Sequence, residues 1–214
     1  LIKMVSAAFV EGFYSKPRVD KEMLEQHHEG LVCLSACLAG EIPQALLAGD
    51  YEKAKNAALY YNDLFGQGNY YIEIQDHGLE EDNIVLPQLI KLARETGIPL
   101  VATNDAHYLR REDSKMQSIL ICIQTGKTVN DSDKLEFETD EFYLKSTEEM
   151  YDLFAIAPDA CENTCRIAEM CSFDFEFGVT KLPYFEAPDG MENQAYFEKL
   201  CYEGLERRYG GQAT

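Results

Sequence analysis

Short apolar runs of strand length recur along this chain with helical stretches between them, and that alternation limits the fold more than any other feature. The runs are GLVCLS at 30–35, YYIEIQ at 70–75 and IPLVAT at 98–103. Between them lie stretches at 42–47, 50–65 and 83–96 that read as helices, the last closed by Gly97. Strands that are apolar on both faces and joined by helices belong to parallel sheets with covered faces. A closed barrel of this class needs about seven or eight strands. Three runs are visible, so the expected architecture is α/β, part of a barrel with parallel strands.

The rest of the chain reads as mainly helical. Ile2, Val5, Phe9 and Phe13 have helical spacing up to the turn-like Ser15, Lys16 and Pro17, and Asp20 has the position of an N-cap for a short helix. After Glu112 a helix through Ile119 and Ile123 is expected to end at Gly126. Residues 130–140 are polar and loop-like, and 142–144 suit a short strand. Ser146 and Glu149 have capping-box spacing. Further helices are expected over 159–171 and 193–208, with an aromatic, proline-containing connector between them. Turn residues cluster at 178–190 and suggest a boundary, giving domains 1–178 and 179–214. Leu1 at the start and Gly210 to Thr214 at the end read as cut ends of a longer protein.

Composition narrows the function classes. The formal net charge is −19. A nucleic-acid grip needs Lys and Arg to replace counterions along the phosphates, so this acidic stretch is not expected to supply one. Seven cysteines without a leader segment suggest reduced thiols. Cys161 and Cys165 would share a helix face, with Cys171 nearby; packing explains them better than a zinc site, which takes four ligands at loop spacing. No apolar run approaches bilayer length, and a cytoplasmic location is the expectation.

Chemistry-bearing residues gather just past the apolar runs. Thr103-Asn104-Asp105-Ala106-His107 follows the third run, at the strand edge where α/β barrels place their active residues. In extended backbone Asp105 and His107 would project to one face, a donor pair suited to a divalent ion. A solvated loop with Asp105 capping a turn is the other reading. Cys37, in LSACLAGE, follows the first run and is either a thiolate ligand on the same rim or a small packed side chain; Glu41 could orient a ligand or cap the next helix. His77, in QDHG, follows the second.

These residues lie in stretches similar to the PHP domain of the bacterial DNA polymerase III alpha family. The resemblance runs in order through EGFYSKPRVD, GLVCLSACLAGEIPQALLAGDYEKA, YYIEIQDHGL and GIPLVATNDAHYLRREDS. It continues through ILICIQTGKTVND, FYLKSTEEMYDLF and LPYFEAPDG toward the start of the polymerase region, and so covers essentially the whole chain. It implies a partial PHP-type (β/α)7 barrel followed by a helical tail. It also implies metal ligands: Cys37 stands at the cysteine of LSxCLxGE, and Asp105 and His107 stand at NDxHY. His77 is distinct from the family's earlier DHG motif and is carried, with Glu41, only as a rim residue. The family's H-x-H strand, that DHG motif, a glutamate and a further histidine would precede Leu1, and the polymerase aspartates would follow Thr214.

By the same resemblance, the parent protein adds deoxynucleoside triphosphates to a DNA primer with magnesium. Its PHP domain would hold zinc or manganese, either for 3′-5′ exonuclease or phosphoesterase chemistry or in a structural role. Its partners would be DNA, dNTPs and replisome subunits such as a sliding clamp or an exonuclease. The stretch alone should bind metal weakly and turn nothing over. Two other functions compete, a stand-alone PHP phosphoesterase and a non-catalytic scaffold. The tail from Leu182 onward is surplus to the first.

Overall fold

The computed structural model of the chain describes residues 1–210; the remaining four, part of the stretch read as a cut end, lie outside the described residues. The chain divides into two compact units, Leu1–Ser172 and a second beginning at Phe173.

The first unit is built on a three-stranded parallel sheet, in the order β3 (Cys33–Leu34), β4 (Tyr70–Ile74), β5 (Leu100–Ala102). Cys33 pairs with Tyr70 and Leu34 with Tyr71, while Ile72, Glu73 and Ile74 pair with Leu100, Val101 and Ala102. Every residue of the central strand β4 is buried, which explains its near-continuous apolar run. The helices that cover it are α3 (Glu41–Leu47), α4 (Tyr51–Phe65) and α5 (Glu80–Thr96). They bury Ile42 and Leu46, then Ala54, Ala57 and Ala58, then Val85, Leu89 and Leu92. Burying one such leucine contributes about 1.5–3 kcal/mol.

Local chemistry sets where these helices begin and end. Asp50 caps α4 by accepting from the Lys53 amide at 3.0 Å, and Gly97 ends α5 in the left-handed conformation at φ 73°. The edge strand β5 is tied to α8 (Pro158–Met170), where the buried Asn163 side chain donates to the Leu100 carbonyl at 2.7 Å. Phe154, just after α7 (Thr147–Leu153), completes the core. Cys161 is buried there, whereas Cys165 and Cys171 are exposed, so packing accounts for one thiol of that trio.

Several boundaries differ from the sequence reading. The first helix, α1 (Ile2–Val10), stops before Phe13, and Phe13–Tyr14 (β1) turns back on Lys16–Pro17 (β2) as a small antiparallel hairpin. Gly12 permits that reversal: its carbonyl accepts from the Arg18 amide at 3.1 Å, and a Cβ there would collide with the Arg18 carbonyl. The α5 helix starts three residues earlier than position 83, because Asp82 caps its first turn from within. The stretch at 142–144 forms a single parallel bridge, Tyr143 to Tyr108, rather than a strand. The remaining helices of the chain are α2 (Lys21–His27), α6 (Ser114–Thr125) and α9 (Asn193–Tyr209). Asp20 caps α2, and Gly126 ends α6 in the left-handed conformation. No helix among the described residues is long and apolar enough to cross a membrane.

Candidate functional site

In a parallel sheet all strands end on one edge. The loops after β3, β4 and β5 therefore open side by side and carry Cys37, His77 and the Asp105 to His107 stretch. Cys37, His77 and Asp105 line one cleft of about 450 Å³, together with Gln44, Gln75, Glu81, Glu136, Phe137, Glu138 and Phe142. Its charged walls are carboxylates, with no Lys or Arg among them, so the cleft repels phosphate and favours cations.

The two outer loops are conformationally unusual. Ala36, one residue before Cys37, has φ 69°, and Asp105 has φ 45°, both in the left-handed region that non-glycine residues avoid. The bend at Asp105 replaces the extended backbone expected there, so Asp105 and His107 do not alternate as in a strand. Instead the His107 Nδ1–H donates to the Asp105 carbonyl at 2.7 Å, since a carbonyl can only accept. That leaves Nε2 of His107 as the nitrogen with a free lone pair, the tautomer a ligating histidine has when its other nitrogen donates to a carbonyl. The ring rests against Phe137 and Phe142, centroids 4.8 and 5.5 Å away, beside the cleft rather than among its lining residues.

His77 is a clamp more than an open ligand. It is buried, its ring stacks on Phe142 at 4.0 Å, and its Nε2–H donates to the Asn104 carbonyl at 2.8 Å. Its backbone amide donates to the buried Asp82 carboxylate at 2.8 Å, and its carbonyl accepts from Thr139 at 2.8 Å. Glu41 faces elsewhere. It lines a separate cavity with Cys33, Tyr61 and Tyr70, and accepts from Lys21 at 3.0 Å and Tyr61 at 2.8 Å. Partial burial would raise its pKa, but the hydrogen bonds from Tyr61 and Lys21 outweigh burial and hold it below the ordinary value. The neighbouring Cys33 thiol is pushed up to about 11, by burial first and then by the negative Glu73.

The donor types on this rim suit a borderline divalent ion, but their placement does not by itself build a centre. Among the described residues no three His, Cys, Asp or Glu side chains gather closely enough to hold a metal. Cys37 and Asp105 share the cleft, His107 stands at its margin, and one His77 nitrogen is committed to Asn104.

Sequence reading missed Glu73. It lies mid-strand in β4, 9% exposed, and its carboxylate accepts from the Ala36 amide at 3.0 Å, the Gln75 side chain at 3.1 Å and the Thr103 hydroxyl. The available signal was a lone acidic residue inside the apolar run YYIEI. The aromatic wall of Phe137 and Phe142 was also missed, because 130–140 reads as a polar loop and 142–144 as a short strand.

Comparison with known proteins supplies the context. The PHP domain model matches residues 1–77. The chain is 46% identical to DNA polymerase III subunit alpha of Borreliella burgdorferi and 49% identical to that of Treponema pallidum, in each case over 98% of its length. It is 40% identical to the Thermus aquaticus protein over its full length. It spans 18% of the length of each of these three relatives.

Proposed function

We propose that this chain is the later part of the PHP domain, and the beginning of the polymerase region, of a replicative DNA-directed DNA polymerase of the DNA polymerase III alpha type. The observation that carries this reading is similarity to such subunits along 98% or more of the chain. The architecture is consistent with it, since three parallel strands with covering helices are what one side of a (β/α)7 barrel supplies. Residues 1–178 would be PHP domain and 179–214 connector and first polymerase helix. The parent would act in the cytoplasm on DNA and dNTPs with magnesium, beside replisome subunits such as a sliding clamp or an exonuclease. DNA would be held mainly outside this acidic stretch, whose cleft is walled by carboxylates.

Cys37, Asp105 and His107 are proposed as three ligands of a zinc or manganese site completed by residues outside this chain. Three groups held apart bind an ion weakly until the rest of the coordination shell preorganises them. The test uses the full-length protein and its Asp105→Asn variant, with zinc and manganese measured by elemental analysis beside primer extension and 3′ excision. Metal content should fall about tenfold or more, because a neutral amide lacks the charge that holds a divalent cation; primer extension should fall much less. Full metal content with unchanged excision would remove Asp105 from the ligand set and leave a scaffold role. A full-length protein unable to extend primers would overturn the polymerase reading itself.

A further inference from the structure

We infer that Glu73 is the positioning residue of the rim, a buried strut that sets where the Cys37 loop stands relative to the Asp105 loop. The inference rests on reading the rim as a functional site.

A carboxylate inside a buried central strand loses its hydration, and an Ile or Val at that position would suit the sheet better. What Glu73 adds is reach in both directions across the sheet. Adjacent strands lie about 4.8 Å apart, within the span of one Glu side chain on either side. Toward β3, Oε2 accepts the Ala36 amide at 3.0 Å. Toward β5, Oε1 accepts the Thr103 hydroxyl, and Gln75 bridges the same two groups, donating to Glu73 at 3.1 Å and to Thr103 at 2.9 Å. The Glu73 amide donates to Ser35 Oγ at 2.8 Å, one residue past the end of β3. All these donors to the carboxylate are neutral, and together they satisfy a buried anion without a cation.

The contacts fall at the points where the two loops need holding. Ala36 is the left-handed residue that turns the chain into Cys37, and Thr103 precedes Asn104 and the left-handed Asp105. The first loop has no slack of its own. The Gly40 amide closes onto the Cys37 carbonyl at 2.8 Å, and a Cβ at Gly40 would come within 2.7 Å of the Ser35 carbonyl. A loop this tight moves as a body about its attachments, the Ala36 amide on Glu73 and the Leu38 carbonyl, which accepts from the Gln44 side chain at 2.7 Å. Removing the carboxylate should therefore loosen the Cys37 loop and the Thr103 end of β5 at once, while His77 still holds Asn104 and the hydrophobic core below stays packed.

The test compares Glu73→Ala and Glu73→Gln in the full-length protein that carries this chain. Each thiol is followed by iodoacetamide labelling and peptide mass spectrometry, and backbone amides by hydrogen exchange. Losing a buried hydrogen-bonded anchor should raise Cys37 labelling, and exchange at Ala36 and Thr103, whose amides are bonded to Glu73 and Ile74, by about tenfold in Glu73→Ala. The core thiols Cys122 and Cys161 should label at unchanged rates. Glu73→Gln keeps the length and one acceptor oxygen and should recover most of the effect. Equal acceleration at Cys37 and Cys161 in Glu73→Gln would mean general destabilisation, and no change at Cys37 in either variant would mean no strut; each overturns the inference. Should Glu73→Ala fail to fold, Glu73→Gln decides alone, with about threefold faster labelling at Cys37 expected and an unchanged rate overturning the inference. Zinc content of Asp105→Asn, measured in parallel, separates the two ideas. If it stays normal the metal reading fails, while the thiol and exchange patterns still decide the role of Glu73.

Discussion

Strand β4 and helix α9 are both rich in large apolar side chains, yet all five residues of β4 are buried and none of α9 is. Tyr70 and Ile72 are packed by α4, α5 and both neighbouring strands, whereas Phe197, Leu200, Tyr202 and Leu205 on α9 remain largely open. The region from Phe173 has local ties of its own. Asn193 ties back to the Phe185 carbonyl at 2.9 Å and receives the Ala187 amide at 3.1 Å, while Phe185 stacks with Tyr196 at 6.0 Å. Apolar content alone does not decide burial; elements arriving from elsewhere in the chain do. The sheet unit should therefore unfold as a cooperative body, and the second unit should depend on its caps.

The largest expected effect tests that contrast directly. Leu92, fully buried on α5, should cost about 3 kcal/mol when changed to Ala, from lost transfer energy and the cavity left behind. Phe177, 88% exposed, should change stability by less than about 0.5 kcal/mol on the same substitution. Urea unfolding of the two variants measures both, and comparable losses would break the comparison.

A smaller effect sharpens it inside the first unit. Helix α7 has no fully buried residue and touches the core only through the half-buried Met150 and Leu153, so its first turn should depend on its capping box. Ser146 accepts the Glu149 amide at 3.2 Å, and Glu149 accepts the Ser146 amide at 2.7 Å. Ser146→Ala should cost about 1 kcal/mol and raise hydrogen exchange in α7 more than in β4. A uniform rise across the unit would show that α7 is not held locally.

The smallest effect is a pH dependence at the same cap. The Tyr143 hydroxyl, 2.6 Å away, and then the Ser146 amide hold Glu149 below the ordinary carboxylate range. A depressed carboxylate contributes stability that is fully present above its unfolded pKa of about 4.3 and is lost as pH falls through the lower folded value. Wild type should thus exceed Glu149→Gln in stability at neutral pH, with the gap closing below about pH 4. A gap that persisted unchanged in acid would mean the ion contributes nothing.

The sequence by itself determined the local elements and the edge on which chemistry-bearing residues fall. Caps at Asp20 and Ser146 and the stops at Gly97 and Gly126 were legible because each acts within a few residues of itself. The three strand ends were legible for a related reason, since parallel pairing puts them all on one side. Tertiary structure alone decided which rim side chains meet. His77 turned inward onto Phe142, Glu41 turned away to Tyr61, and the backbone at Asp105 bent out of the extended form. It also assigned Glu73 its partners, 37 residues away at Ala36 and 30 residues away at Thr103. Such contacts are set by strand order and register, which depend on how separate runs pack together, and no local pattern encodes that choice.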